Sequence, residues 1–69
     1  MRIMVNGEPR ELPAGSSVAE AVAAVTGAAQ PGAGIAAALN DEVVRRSAWD
    51  ATTLNEADRL EVLTAVQGG

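Results

Sequence analysis

The segment PAGSSVAEAVAAVTG, residues 13–27, is marked as a helix at both ends, and this limits what the chain can fold into. Ser17 and Glu20 have the S-x-x-E spacing of a capping box, in which two side chains satisfy backbone N–H groups left over at a helix start. Val18, Val22 and Val25, with Ala21 between them, recur at the spacing of one helical face. Gly27 is placed to end the helix in a left-handed conformation. A single helix with one apolar stripe needs a second layer to cover it, and the segments around it read as strands.

RIMVN, residues 2–6, puts Ile3 and Val5 on one side of an extended segment. Asn6-Gly7 follows, the strongest short hairpin signal, because both central positions of a type I′ turn need positive φ. Pro9, early in the returning PREL, fits an edge or a strand start, where a missing N–H is tolerated. Residues 28–34, AAQPGAG, have the composition of a loop and are the natural place for length variation or mobility. IAAALN, residues 35–40, reads as a buried strand, being short for a helix between Gly34 and Asn40-Asp41. EVVRR reads as another short strand after an Asn-Asp turn, and SAWDATTL as irregular, with a helical turn starting at Ser47 or Asp50. RLEVLTAV, residues 59–66, alternates: Leu60, Val62, Thr64 and Val66 face one way, Leu63 and Ala65 the other.

Hairpin, helix, two short strands, irregular segment, long final strand: this order predicts an α+β, β-grasp (ubiquitin-like) fold. One main helix would cross a mixed sheet of four to five strands. A right-handed crossover is expected to set the strand after the helix parallel to the first strand. The expected organisation is one domain over residues 1–66 and a flexible Gly-Gly tail over residues 67–69.

The missing residue types narrow the function. The 69 residues include no Cys, His or Tyr, and all five basic residues are Arg. Thiolate chemistry, the usual general base, the commonest metal ligand and Schiff-base formation are all absent from the side chains. The chain is therefore expected not to be an enzyme by itself, with no catalytic side chains. No metal site is expected either, and Asp41-Glu42 reads as a turn, because two carboxylates alone are weak ligation. A net charge of −4 argues against non-specific nucleic-acid binding and fits docking on basic partner surfaces or simple solubility. The first residues have too short an apolar run for a signal peptide, and no run approaches the ~20 apolar residues of a membrane span. The expected location is the cytoplasm.

That leaves the end of the sequence, Val66-Gln67-Gly68-Gly69. Gly-Gly is a poor finish for a strand, since glycine loses much freedom on ordering, but it suits a segment threaded into a narrow channel. Three extended residues would carry Gly69 about 10 Å past Val66. The group so presented is the α-carboxylate. It can attack the α-phosphate of ATP held by another enzyme, and the resulting acyl-adenylate can pass to sulfur, giving a thiocarboxylate, or to a lysine amine, giving an isopeptide bond. The bland alternative is a frayed terminus, common in domains. Attachment to the final strand, in a chain with no other chemistry, favours the working end.

The sequence resembles the ThiS family of sulfur carrier proteins of thiamine biosynthesis. The resemblance rests on IMVNGE, LPAGSSVAEAV, ALNDEVVRRSAW and LEVLTAVQGG, which together span nearly the whole chain. It implies that an adenylyltransferase of the thiamine pathway, using ATP and magnesium, activates the carboxylate of Gly69. Sulfur reaching it from cysteine through a desulfurase would make a thiocarboxylate, and thiazole synthase would take that sulfur into the thiazole ring. Val66, Gln67 and Gly68 map to the tail threaded into the partners. No cofactor is expected on the chain itself, and the free carrier is expected to be a monomer.

Two departures stand out: Arg45 where the family usually has Pro, and NEAD, with Ala57 in a Gly place, before the last strand. If that place has positive φ, Ala costs stability or changes the turn. The 28–34 loop also looks long for the family. Leu63 and Ala65 are the candidate partner surface. Trp49 reads as a lid on one end of the core, Arg45 and Arg46 as solvated or acid-paired, and Asp58 and Glu61 as surface charges. Competing functions are a sulfur carrier for molybdopterin synthesis, a ubiquitin-like protein modifier, and a β-grasp adaptor with an inert tail.

Overall fold

In the computed structural model, residues 1–27 and 34–64 are described. The chain opens with the hairpin of β1 (Arg2–Val5) and β2 (Glu8–Glu11), in which Val5 faces Glu8 across a two-residue loop. Asn6 and Gly7 have φ of 51° and 83°, the pair of positive values that a tight hairpin turn demands. Pro9 lies on β2, an edge strand of the sheet, where its missing N–H costs no ladder bond.

The helix α1 (Val18–Thr26) begins and ends where its capping residues place it. The Glu20 N–H donates to Ser17 Oγ at 3.1 Å, and the Ser17 N–H donates to Glu20 Oε1 at 2.8 Å. At the other end Gly27, with φ 66°, donates its N–H to the Ala23 carbonyl at 2.8 Å. Val18, Ala21 and Val22 are fully buried, and Val25 packs half-buried at the margin of the same face.

β3 (Ile35–Leu39) and β4 (Glu42–Val44) form a second hairpin around Asn40 and Asp41, both with positive φ. β3 is less buried than its composition suggests: only Ala37 is fully inside. β4 ends at Val44, earlier than EVVRR implies. Arg45 precedes a 3-10 turn over Arg46–Ala48, so the helical turn starts one residue before Ser47. β5 (Arg59–Thr64) completes a five-stranded mixed sheet in the order β2-β1-β5-β3-β4. Residues 28–33 of the expected loop and residues 65–66 of the expected final strand lie outside the described residues.

One expectation fails. The strand after the helix is not parallel to β1; the strand parallel to β1 is β5, and β3 runs antiparallel to β5. The crossover rule relates the two strands that a helix joins, here β2 and β3, and these do run the same way. Because β1 and β2 form a hairpin, β3 must oppose β1.

The core is the space between α1 and one sheet face. Ile3, Val5, Ala37, Leu60 and Val62 meet Val18, Ala21 and Val22 there. Trp49 and Leu54, from the connection between β4 and β5, close the cluster. Trp49 is 2% exposed, so it does serve as a lid on the core. Its Nε1–H donates to the Val44 carbonyl at 2.8 Å, so the indole is buried without leaving its donor unsatisfied. Arg46 is exposed, and its guanidinium stands 5.0 Å from the Trp49 ring centre, a cation–π contact. The connection is stitched to the helix start by the Leu54 N–H to the Ser16 carbonyl and the Val18 N–H to the Thr52 carbonyl, at 2.8 and 2.9 Å.

Candidate functional site

β5 is the element that carries the chain toward its last residues, and it is the middle strand of the sheet. Its two faces differ sharply, as the alternating pattern requires. Leu60 and Val62 are buried, while Arg59, Glu61 and Leu63 are exposed on the face away from the helix. This outer face is the one open to solvent. Leu63, 66% exposed, lies opposite Ala36 of β3. Glu61 lies opposite Ala38, which in turn faces Val43 on the edge strand β4. Val43 is 82% exposed. Leu63, Ala36, Ala38 and Val43 thus give the outer face an apolar strip with the Glu61 carboxylate beside it.

Both ends of β5 are fastened by asparagine amides. At the start, the Arg59 N–H donates to Asn40 Oδ1 at 2.9 Å, and Asn40 Nδ2 donates to Asp58 Oδ1 at 3.1 Å. The second Asp58 oxygen accepts the Asn55 N–H at 2.7 Å, so Asp58 is a turn-closing residue rather than a plain surface charge. The Arg59 guanidinium adds an exposed ion pair with Asp41 at 3.2 Å, a contact of little net energy at such exposure. Asp41 is therefore part of a turn and an ion pair. Near the far end, the Val62 N–H donates to Asn6 Oδ1 at 2.9 Å, and Asn6 Nδ2 donates to the Val62 carbonyl at 3.2 Å.

Of the residues singled out in the sequence, Leu63 is where the alternation put it, on the exposed outer face. Ala65, Val66, Gln67, Gly68 and Gly69 lie outside the described residues. Arg45 sits between β4 and the 3-10 turn with an extended backbone, φ −65° and ψ 152°, values that a proline there would also satisfy. Ala57 has positive φ, 71°, which meets the condition under which Ala in that place is costly. Sequence reasoning missed Val43 and the second role of Asn6. Val43 sits in a three-residue strand too short to show which face it takes. Asn6 is already accounted for by its turn, which hides its side-chain partner 56 residues away. Among the described residues, no three His, Cys, Asp or Glu side chains gather as a metal-binding group, and no helix is long and apolar enough to cross a membrane.

The model of the ThiS family matches residues 3–69. A crystal structure of a thiamine biosynthesis protein (ThiS) from Geobacter metallireducens is similar at TM-score 0.78 and 35% identity, covering 100% of both chains. An NMR solution structure of a thiamine biosynthesis protein from Geobacter metallireducens is similar at TM-score 0.77 and 35% identity, covering 100% of this chain and 88% of that one. No curated protein sequence matches.

Proposed function

The chain belongs to the ThiS family, and from that premise we propose that it carries sulfur for thiazole formation as a thiocarboxylate on Gly69. Its role is that of a small carrier protein of thiamine biosynthesis, and the chemistry is performed on it by partners. In the first step, an oxygen of the Gly69 carboxylate attacks the α-phosphorus of ATP on an adenylyltransferase of the thiamine pathway. The bond from that phosphorus to the bridging oxygen breaks, pyrophosphate leaves with magnesium, and the glycyl acyl-adenylate remains. In the second, a sulfur nucleophile attacks the acyl carbon and AMP departs. With hydrosulfide the products are the thiocarboxylate, AMP and one proton. In the cell the sulfur would come from cysteine through a desulfurase, and thiazole synthase would take it onward.

The observation that carries this reading is the span of the family match. It runs to Gly69, so it includes the segment that follows the central strand. The residue inventory agrees, since no side chain offers a thiol, imidazole or amine to do the work instead. Val66, Gln67 and Gly68 would thread the partner channels, where two residues without Cβ let the backbone enter a narrow slot. Leu63, with Ala65, would lie against the partner on the outer sheet face. Cytoplasmic location, monomeric free carrier and absence of a bound cofactor belong to the same proposal.

The test is an intact mass spectrum after incubation with a thiamine-pathway adenylyltransferase, ATP, magnesium and sulfide. A mass rise equal to one oxygen replaced by sulfur, placed on Gly69 by fragmentation, is the expected result. Delivery of that sulfur by thiazole synthase then separates this role from a pterin-cofactor carrier. An unchanged mass, beside an enzyme active on its own carrier, would overturn the reading.

A further inference from the structure

The geometry points to Asn6 as a positioning residue: its side-chain amide stands in for a missing strand residue and holds β5, the strand that leads toward Gly69, on its β1 side. This rests on Gly69 being the reactive end, as proposed above. β1 runs beside β5 for only two paired residues, Met4 with Arg59 and Val5 with Leu60. The Asn6 N–H makes one more backbone bond, to the Leu60 carbonyl at 3.0 Å, and then Gly7 turns the chain away into β2. A backbone partner for Val62 on this side ends there.

Asn6 supplies it from its side chain. Its Oδ1 accepts the Val62 N–H and its Nδ2 donates to the Val62 carbonyl, the paired bonds that a neighbouring strand would have made. Val62 is 5% exposed, so both of its backbone groups sit where an unmade bond is costly. On the opposite side β3 continues in register, with Ala36 facing Leu63 and Ile35 facing Thr64. With the amide in place, β5 is held from both sides as far as Val62, seven residues before Gly69.

The residue type is selected twice. The turn requires positive φ at position 6, which Gly meets most easily and Asn tolerates. The clamp requires one acceptor and one donor on a short stem, which Asn has, Gly lacks and Asp supplies only in part. Asn6→Gly therefore separates the two roles, because it keeps the turn and removes the clamp. Asn6→Asp keeps the acceptor and sets a carboxylate against the Val62 carbonyl.

The experiment has two parts, run on the full chain below the melting temperature of every variant. In the free protein, hydrogen exchange at the Val62 amide is expected to speed up by about tenfold in Asn6→Gly, and by less in Asn6→Asp, which keeps the acceptor for that N–H. With the adenylyltransferase, pyrophosphate release is measured against carrier concentration. Docking surfaces are unchanged, so KM should stay within about twofold, while kcat falls by roughly threefold or more because fewer docked complexes present the carboxylate correctly. A kcat equal to wild type in Asn6→Gly overturns the inference, as does an unchanged Val62 exchange rate. If the wild-type chain itself gives no pyrophosphate, the proposed function falls and takes this inference with it, a result distinguishable from failure of the variants alone.

Discussion

Ala57→Gly should make the protein more stable, although it removes a methyl group and adds no contact. Ala57 has φ 71° in the turn before β5, where its N–H donates to the Arg2 carbonyl at 2.8 Å. The residue is exposed and its methyl is not part of the core cluster, so removing it empties nothing. An L-residue in the left-handed region carries a steric penalty of about 1–2 kcal/mol. Glycine escapes that penalty but loses about 0.5–1 kcal/mol through the greater freedom of its unfolded chain. The net expectation is a gain of about 0.5–1 kcal/mol, or roughly 2–8 °C in Tm for a domain of this size. Trp49 makes the assay simple: it is the only aromatic residue and is fully buried, so its fluorescence follows global unfolding. Urea titration should move the midpoint upward without changing the slope. Ala57→Val supplies the opposite sign, since a β-branched residue at positive φ is strongly strained. An unchanged or lowered midpoint in Ala57→Gly, or no loss in Ala57→Val, would refute the strain argument at this turn.

Trp49→Ala should cost about 3–5 kcal/mol, a large share of the roughly 3–10 kcal/mol available to a domain of this length, and far-UV circular dichroism should show partial unfolding near room temperature. Trp49→Phe should cost about 2 kcal/mol, through lost volume and loss of the Nε1 bond to Val44, and should still melt cooperatively. Ser17→Ala removes half of the capping box and should lower stability by about 1 kcal/mol, read from the urea midpoint. Leu63→Glu should leave the melt within about 0.5 kcal/mol of wild type, because the side chain is exposed, and should raise KM for the activating enzyme. An unchanged KM would remove the outer face from the interface.

What could be seen in the sequence follows from how local each cause is. The capping box, the Gly27 stop and the Asn6-Gly7 turn act within a few residues of themselves, so spacing alone discloses them. The alternation of β5 put Leu60 and Val62 on one face and Leu63 on the other, because side chains along a strand repeat with a period of two, and the helix then decided which face is the core. The strain at Ala57 was legible only as a condition, since the identity of a residue does not state its φ. Strand directions were misjudged when the crossover rule was applied to β1 instead of β2, the strand that feeds the helix. Arg46 is exposed, as one of the two expectations had it, but the aromatic face it lies over could not be read until the 3-10 turn was placed. The amide clamp on Val62 links residues 56 apart, and no local pattern carries that information. The apolar strip of the outer face was half visible, through Leu63, and its Val43 end emerged only with the strand order.

Placing the final strand in the middle of the sheet has a consequence for how the molecule is made. A ribosome delivers Arg59–Thr64 after every other described strand, yet β1 and β3 each need that strand as their neighbour, and the core needs Leu60 and Val62. The hairpins and the helix can form early, but the layers cannot close around an empty centre. A product of interrupted translation or of cleavage before Arg59 would expose half a core and invite degradation. Compactness thereby reports that synthesis has passed the central strand, whose Leu60 and Val62 the core requires.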